Sequence, residues 1–264
     1  MMTLEEVIER EGYSVIGKPT PKKDGWVKAT GEAKFADDLY FPGMLHGKLL
    51  RSPHPHARIL HIDTSRAEKL PGVRAVITAK DFPGILYGNF SHTRDYLPLA
   101  QEKVRYIGEE VAAVAATDLD TAEEALDLIR VEYEILPAVF HPEEAMQPGA
   151  PQLYDHAPGN IAAKSEFHYG DVEKGFAESD YVREDTFETQ SMKQGMLEPH
   201  ACVGLWESPG KITLWSCKSS PYVVWRHLAM GLGIDPGNVR VIQTYIGGSF
   251  SAGSRKPCPW TSPP

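Results

Sequence analysis

Residues 111–135 read VAAVAATDLDTAEEALDLIRVEYEI, and the fold class turns on them. The first six residues form a continuous run of small apolar side chains, the pattern of a strand. Ala122, Ala125, Leu126 and Ile129 then recur at i, i+3, i+4 and i+7, one face of a helix. Asp120 with Glu123, or Thr121 with Glu124, offers a capping box at the helix start. Residues 131–135 return to period two. The stretch predicts strand–helix–strand, which within one sheet would take the right-handed crossover.

Upstream, residues 44–52 and 73–78 read as strands, and 57–63 alternates Ile59, His61 and Asp63 against Leu60 and Ile62. Asp63 and Thr64 are capping residue types before a short helix that Pro71-Gly72 stops. Asp81-Phe82-Pro83-Gly84 reads as a turn. Residues 23–140 are therefore expected to form one compact domain, preceded by a leader at 1–22 that is partly helical. Downstream, residues 141–160 hold four prolines and no period, which predicts a surface linker. Residues 182–190, 201–207 and 211–217 read as antiparallel strands, the last two joined by a turn at Ser208-Pro209-Gly210. Ser220-Pro221 opens a helix that runs to about Leu232, and 239–245 is a strand feeding Gly247-Gly248. A second domain thus begins at 161 and runs to 250, and the whole belongs to the α+β class.

Bulk properties narrow the function. The chain has 264 residues, is 42% hydrophobic and 24% charged, and carries a formal charge of −9. That balance argues against a nucleic-acid or anionic-membrane surface, both of which demand clustered Lys and Arg. No apolar run approaches the roughly 20 residues that span a bilayer. The N-terminus is acidic and lacks a signal-type apolar core, which argues against export. The three cysteines, Cys202, Cys217 and Cys258, form no C-x-x-C, which fits a reducing cytoplasm and excludes a self-contained iron–sulfur cluster with four Cys ligands.

Three short patterns could carry chemistry. His54 and His56 form a His-x-His pair that could hold zinc, but no further ligands cluster nearby, and packed or surface histidines are the alternative. Glu198, His200 and Cys202 alternate, so on a strand they would share a face as a metal or acid–base group, again without a second source of ligands. Gly247-Gly248-Ser249-Phe250 follows a strand. Its glycines would let an anionic ligand approach backbone N–H groups, or they form an ordinary tight turn. The turn lacks the Lys-Ser/Thr of a phosphate loop and the third glycine of a dinucleotide fingerprint.

Taken together and in order, longer phrases are more specific. GKPTPKKDGWVKATGEAKFADDLYFPGMLHGKLLRSPHPHARILHID (17–63), PGVRAVITAKDFPG (71–84), LPLAQEKVRYIGEEVAAVAATDLDTAEEALDLIRVEYEILPAV (97–139) and ETQSMKQGMLEPHACVGLWE (188–207) resemble the molybdenum-binding subunit of the xanthine dehydrogenase/aldehyde oxidase family. The resemblance implies an a/b hammerhead domain at 23–140 and the truncated start of a molybdopterin-binding domain at 161–250. It implies hydroxylation of carbon with water-derived oxygen at a molybdenum–molybdopterin centre. Electrons would leave through 2Fe-2S clusters to FAD, on partner subunits, and a homo-oligomer is possible. Gly247, Gly248 and Phe250 match the family loop that contacts the cofactor. Ser219 stands where the family has a glutamine near a metal oxo ligand, so a short hydroxyl replaces a long amide donor. Gln194 replaces a frequent histidine, and the family loop's further glycines and basic residue are replaced by Ser251-Ala252-Gly253-Ser254.

The resemblance stops at Phe250. Residues 251–264 carry four prolines in their last eight positions and no period. A one-nucleotide shift of plausible codons reads as a helical continuation of the family sequence, so a frameshift near Ser251 is expected, with an evolved ending as the alternative. The family's base glutamate and most cofactor ligands would lie beyond this point, leaving no catalytic residue and no metal ligand on this chain. The resulting expectation is a fragment of a molybdenum hydroxylase, inactive alone and binding no cofactor by itself. Its substrate in the whole enzyme could be a purine, aldehyde, carbon monoxide, N-heterocycle or aromatic acyl-CoA. The alternatives are a stand-alone hammerhead interaction or assembly module and a small subunit of a split enzyme.

Overall fold

A computed structural model describes residues 12–88, 94–190, 195–208 and 210–250. The helical part expected of the leader, Gln194, Pro209 and the tail from Ser251 lie outside the described residues. The alanine-rich strand forms where the sequence puts it, as β5 (Glu110–Ala116), buried along almost its whole length. It is the middle strand of a three-stranded sheet between β1 (His46–Arg51) and β3 (Val73–Thr78), antiparallel to both. A short helix α1 (Gly25–Ala29) precedes these strands. A second antiparallel sheet has β2 (Ala57–Asp63) between β4 (Lys103–Val104) and β6 (Arg130–Ile135).

Helix α2 (Leu119–Leu128) therefore leaves one sheet and delivers the chain to the other. The single-sheet crossover expected from the sequence does not form. Both edges of β5 are occupied by β1 and β3, so β6 pairs with β2 instead. The cap also differs from the capping boxes expected at Asp120 or Thr121. Asp118 is the N-cap, and its carboxylate accepts the Thr121 N–H at 2.8 Å and the Thr121 hydroxyl at 2.9 Å. The short helix expected after Thr64 is only a run of turns, with Ser65 N–H donating to Asp63 Oδ1 at 3.0 Å.

Small side chains let these layers approach. Ala67, Ala112, Val114, Ala125 and Ile129 form one core, and Ala57, Ala100, Val104 and Val111 another. Ile62 and Val131 pack on both and join them. Val104, Val111 and Val114 are fully buried, each worth roughly 2 kcal/mol relative to exposure. At the bulged end of β1, Arg51 Nη1 donates to buried Glu110 Oε1 and to Gly108 O, both at 2.8 Å.

The segment expected as a bare linker is strapped down. It holds a short helix, α3 (Pro142–Ala145), and a polar knot around Asn160. The Asn160 side-chain amide donates to Ala145 O at 2.8 Å and Pro151 O at 3.0 Å and accepts Leu153 N–H at 2.9 Å. Arg105 donates to Leu153 O at 3.1 Å and stacks over Tyr154, which ties the segment to β4. From 161 to 190 every residue is exposed, including the helix α4 (Val172–Ala177). The strand expected at 182–190 is not formed, because no described strand lies alongside to complete a ladder.

The last sheet orders β7 (Cys202–Ser208), β8 (Lys211–Ser216) and β9 (Val239–Gln243). β7 is antiparallel to β8, and β9 is parallel to it after the helix α5 (Pro221–Leu232). Pro221 suits the first helical position, and Gly233 ends the helix at φ 65°. Buried His227 and Gly231 of α5 meet Tyr87 of the preceding half, while Phe41 packs on Trp215 with ring centroids 5.0 Å apart.

Candidate ligand site at the end of the last sheet

Parallel pairing fixes where a site can be. Ser216 lies opposite Gln243, so the segments after β8 and after β9 leave the sheet on the same side. The residues entering antiparallel β7 lie at that end too. Ligands of open α/β sheets collect outside the carboxyl ends of parallel strands. Glu198, His200, Lys218, Ser219 and the turn at 247–250 gather there.

The turn is held from behind. Gly247 N–H donates to Glu198 Oε2 at 2.6 Å, and Glu198 N–H approaches Gly247 O at 3.4 Å. A side chain at Gly247 would place its Cβ 2.5 Å from Glu198 Cβ, so only glycine fits. Gly248 has φ +143°, and a Cβ there would lie 3.2 Å from Met196 Cβ. Phe250 follows at φ 22° with its ring exposed. Gln243 Nε2 donates to Lys218 O at 3.1 Å, which couples the β8 end to the β9 end. Thr244 N–H donates to Ser216 O at 3.1 Å.

Of the residues singled out from sequence, Gly247, Gly248 and Phe250 lie together in this turn. Ser219 is exposed on the loop after β8. Glu198, His200 and Cys202 do not share a strand face, because β7 begins only at Cys202. Glu198 turns to Gly247, and His200 Nδ1 lies 3.5 Å from Lys218 Nζ. Burial pushes the Cys202 thiol up to about 12, with Cys217 a smaller cause, and burial raises Cys217 as well. Neither is a thiolate at neutral pH. His56 donates from Nδ1 to Pro137 O at 2.6 Å, and the His54 ring packs edge-on against Tyr133. Among the described residues no group of three or more His, Cys, Asp or Glu is arranged to hold a metal. No described helix is long and apolar enough to cross a membrane.

The Glu198–Gly247 contact is not visible in the sequence. Its only signal there is a glycine pair and an alternating acid-containing run, 49 residues apart, each with a role of its own.

Architecture and site together define an α+β protein with a glycine turn at the end of a parallel strand pair. Residues 30–137 match the family profile described as aldehyde oxidase and xanthine dehydrogenase, a/b hammerhead domain, and residues 153–260 match the molybdopterin cofactor-binding domain. The chain belongs to the xanthine dehydrogenase/aldehyde oxidase family, with its hammerhead domain followed by the start of its molybdopterin-binding domain. It is 41% identical over 238 residues to a probable xanthine dehydrogenase subunit of Bacillus subtilis, covering 89% of this chain and 31% of that one. It is 37% identical over 239 residues to the nicotinate dehydrogenase large molybdopterin subunit of Eubacterium barkeri, covering 90% of this chain and 55% of the relative. Quinoline 2-oxidoreductase from Pseudomonas putida 86 superposes with a TM-score of 0.80 at 31% identity, covering 89% of this chain and 31% of that one. The chain thus spans about a third to a half of these relatives' length.

The matched domain implies a molybdopterin, for which the turn would form one wall. The missing side chains at Gly247 and Gly248 let Glu198 and Met196 close in behind the turn, and the turn sits at the carboxyl end of the parallel pair. Gly247's own N–H is already bonded to Glu198, so that wall offers later backbone groups rather than this one.

Proposed function

We propose that this chain supplies the hammerhead domain and one wall of the cofactor site of a molybdenum hydroxylase. A bound molybdopterin supplies the redox centre for hydroxylating a purine, aldehyde, N-heterocycle or aromatic acyl-CoA with water-derived oxygen. The chain's own contribution is position. Glu198 fixes the glycine turn, Gly247 and Gly248 admit the close approach of Glu198 and Met196, and Phe250 and Ser219 border it. The observation that carries this reading is the Glu198-pinned glycine turn at the end of the parallel pair, inside the segment that matches a molybdopterin-binding domain. No described residue at this end is placed as a general base. On this reading hydroxylation draws on groups from the further length that the relatives have, and the chain alone is expected not to turn over. Iron–sulfur and FAD subunits are the electron-accepting partners this reading requires. The free cysteines Cys202 and Cys217 suit the reducing cytoplasm as its compartment.

Molybdenum and pterin analysis tests this directly. The chain purified alone should carry neither in stoichiometric amount. Recovered from its host by affinity capture, it should bring iron–sulfur and flavin subunits with it. Stoichiometric molybdenum with aldehyde or purine oxidation by the lone chain would overturn the reading. One observation favours a second version, a split enzyme whose cofactor cradle is shared between chains. The Eubacterium barkeri large molybdopterin subunit is matched over 55% of its length, against 31% for the Bacillus subtilis relative. Capture of a separate molybdopterin-domain chain would select that version.

A further inference from the structure

We propose that Glu198 is the positioning residue of the glycine turn, acting on any bound cofactor through the backbone of Gly247. Three observations converge on this pair. Glu198 Oε2 accepts Gly247 N–H at 2.6 Å, a short hydrogen bond between a backbone donor and a carboxyl oxygen. The Glu198 backbone N–H faces Gly247 O at 3.4 Å, so the two residues approach from both backbone directions. A Cβ at Gly247 would lie 2.5 Å from Glu198 Cβ and 3.5 Å from its Cα, an approach that only glycine permits.

No other described residue competes for the carboxylate. Oε1 is buried with no hydrogen-bond partner among the described residues, so the Gly247 N–H sets the rotamer. The carboxyl group is therefore engaged with the turn, not with the metal or acid–base role its sequence neighbours suggest. With Gly247 N–H consumed, the chain enters Gly248 at φ +143°, and the N–H groups of the residues after Gly247 are those left to face a ligand. Without the carboxylate, Gly247 N–H would be one more free donor and the turn would lose its fixed entry.

The consequence for cofactor binding rests on the function proposed above, but the hydrogen bond itself does not, and the two are tested separately. Amide exchange and the amide proton shift of Gly247 are measured in the 264-residue chain, in Glu198→Gln and in Glu198→Ala, with thermal melts of each. Glutamine keeps an acceptor oxygen within reach. Protection at Gly247 should persist in Glu198→Gln and fall by about tenfold or more in Glu198→Ala, the factor expected for a hydrogen bond to a charged group. The Gly247 amide proton should move upfield in Glu198→Gln as the carboxylate is replaced by a neutral amide. Equal protection in all three proteins overturns the proposal, and so does an unmoved Gly247 resonance in folded Glu198→Gln. If Glu198→Ala fails to fold, the resonance in Glu198→Gln decides alone. Absence of molybdopterin from a longer chain whose Gly247 protection still depends on Glu198 would refute the cofactor reading and leave this one standing.

Discussion

Gly247 and Glu109 show how single residues carry cost in this protein. Alanine at Gly247 must push Glu198 away or lose its hydrogen bond, and overpacking of this kind costs about 1–3 kcal/mol. Gly247→Ala is expected to lower the melting midpoint and raise amide exchange in 244–250, while exchange in β5 stays unchanged. Glu109 is a different case. Burial pushes its carboxyl up to about 7, against the Arg105 N–H donated to Oε2 at 2.6 Å and the Arg105 guanidinium at 4.0 Å, with Glu110 adding to the rise. An acid with a raised folded pKa holds a proton that the unfolded chain has already released. Stability contributed by this group therefore falls as pH rises from about 4.5 to about 7 and is level above. Glu109→Gln keeps an oxygen for the Arg105 N–H and removes the ionisation. It is expected to flatten that slope and to stabilise the protein at about pH 8 by up to roughly 3 kcal/mol. Urea unfolding at about pH 5 and about pH 8 checks this, and an unchanged difference between the two conditions in the variant would contradict it.

Helix α2 is the element on which the first half turns, since it carries the chain from one sheet to the other. Its start depends on Asp118, whose carboxylate takes the Thr121 N–H and hydroxyl and the Thr117 hydroxyl and is held below the usual carboxylate range by those bonds. Asp118→Ala should lower the urea midpoint more than Asp120→Ala, because the cap bonds run to Asp118, and Asp118→Asn should recover most of the loss. Equal midpoints would place the cap elsewhere. The strands at 46–51, 57–63, 73–78 and 110–116 are legible in the sequence because their apolar patterns are local. The sheet to which β6 belongs is not, because strand period says nothing about which edges are already taken. β8 and β9 are legible, but 182–190 is not, since its alternation marks a strand only when another strand pairs with it. In the site, the glycine turn is legible and Glu198's hold on it is not, because the two meet only through the register of the folded sheet. The a/b hammerhead reading comes from phrases in order rather than from any single motif, and the family match rests on the same breadth of sequence.

At the scale of the whole molecule the two halves differ in how completely their apolar surface is covered. Residues 161–190 are exposed throughout, with Phe167 94%, Tyr169 99% and Phe187 88% exposed. Such a segment offers unpaired backbone and aromatic surface to other copies. The 264-residue chain is therefore expected to self-associate with concentration in sedimentation velocity, and Phe167→Ser with Phe187→Ser to reduce it; a monomer at every concentration would contradict this. The first half has a self-contained core. Both of its buried clusters lie between Ala57 and Ile129, with packed neighbours from Leu50 to Tyr133, and none of their members comes from beyond the linker. What the second half adds is a cover on Phe35 and Phe41, through Tyr245 and Trp215, and on the loop around Tyr87, where Tyr87 is 5% exposed against His227 and Gly231 of α5. A chain ending at Val139 should consequently fold and melt cooperatively, as domains of this size do. Its Tyr87 should become accessible, seen as a blue shift in tyrosine absorbance or as new exchange at 85–88, while β5 amides stay protected. Cores with all their members on one side of a boundary lose nothing when the other side is removed. A chain that is molten when it ends at Val139 yet folded at full length would show that the strapped segment or α5 is part of the first half's core, and would move the boundary past Val139.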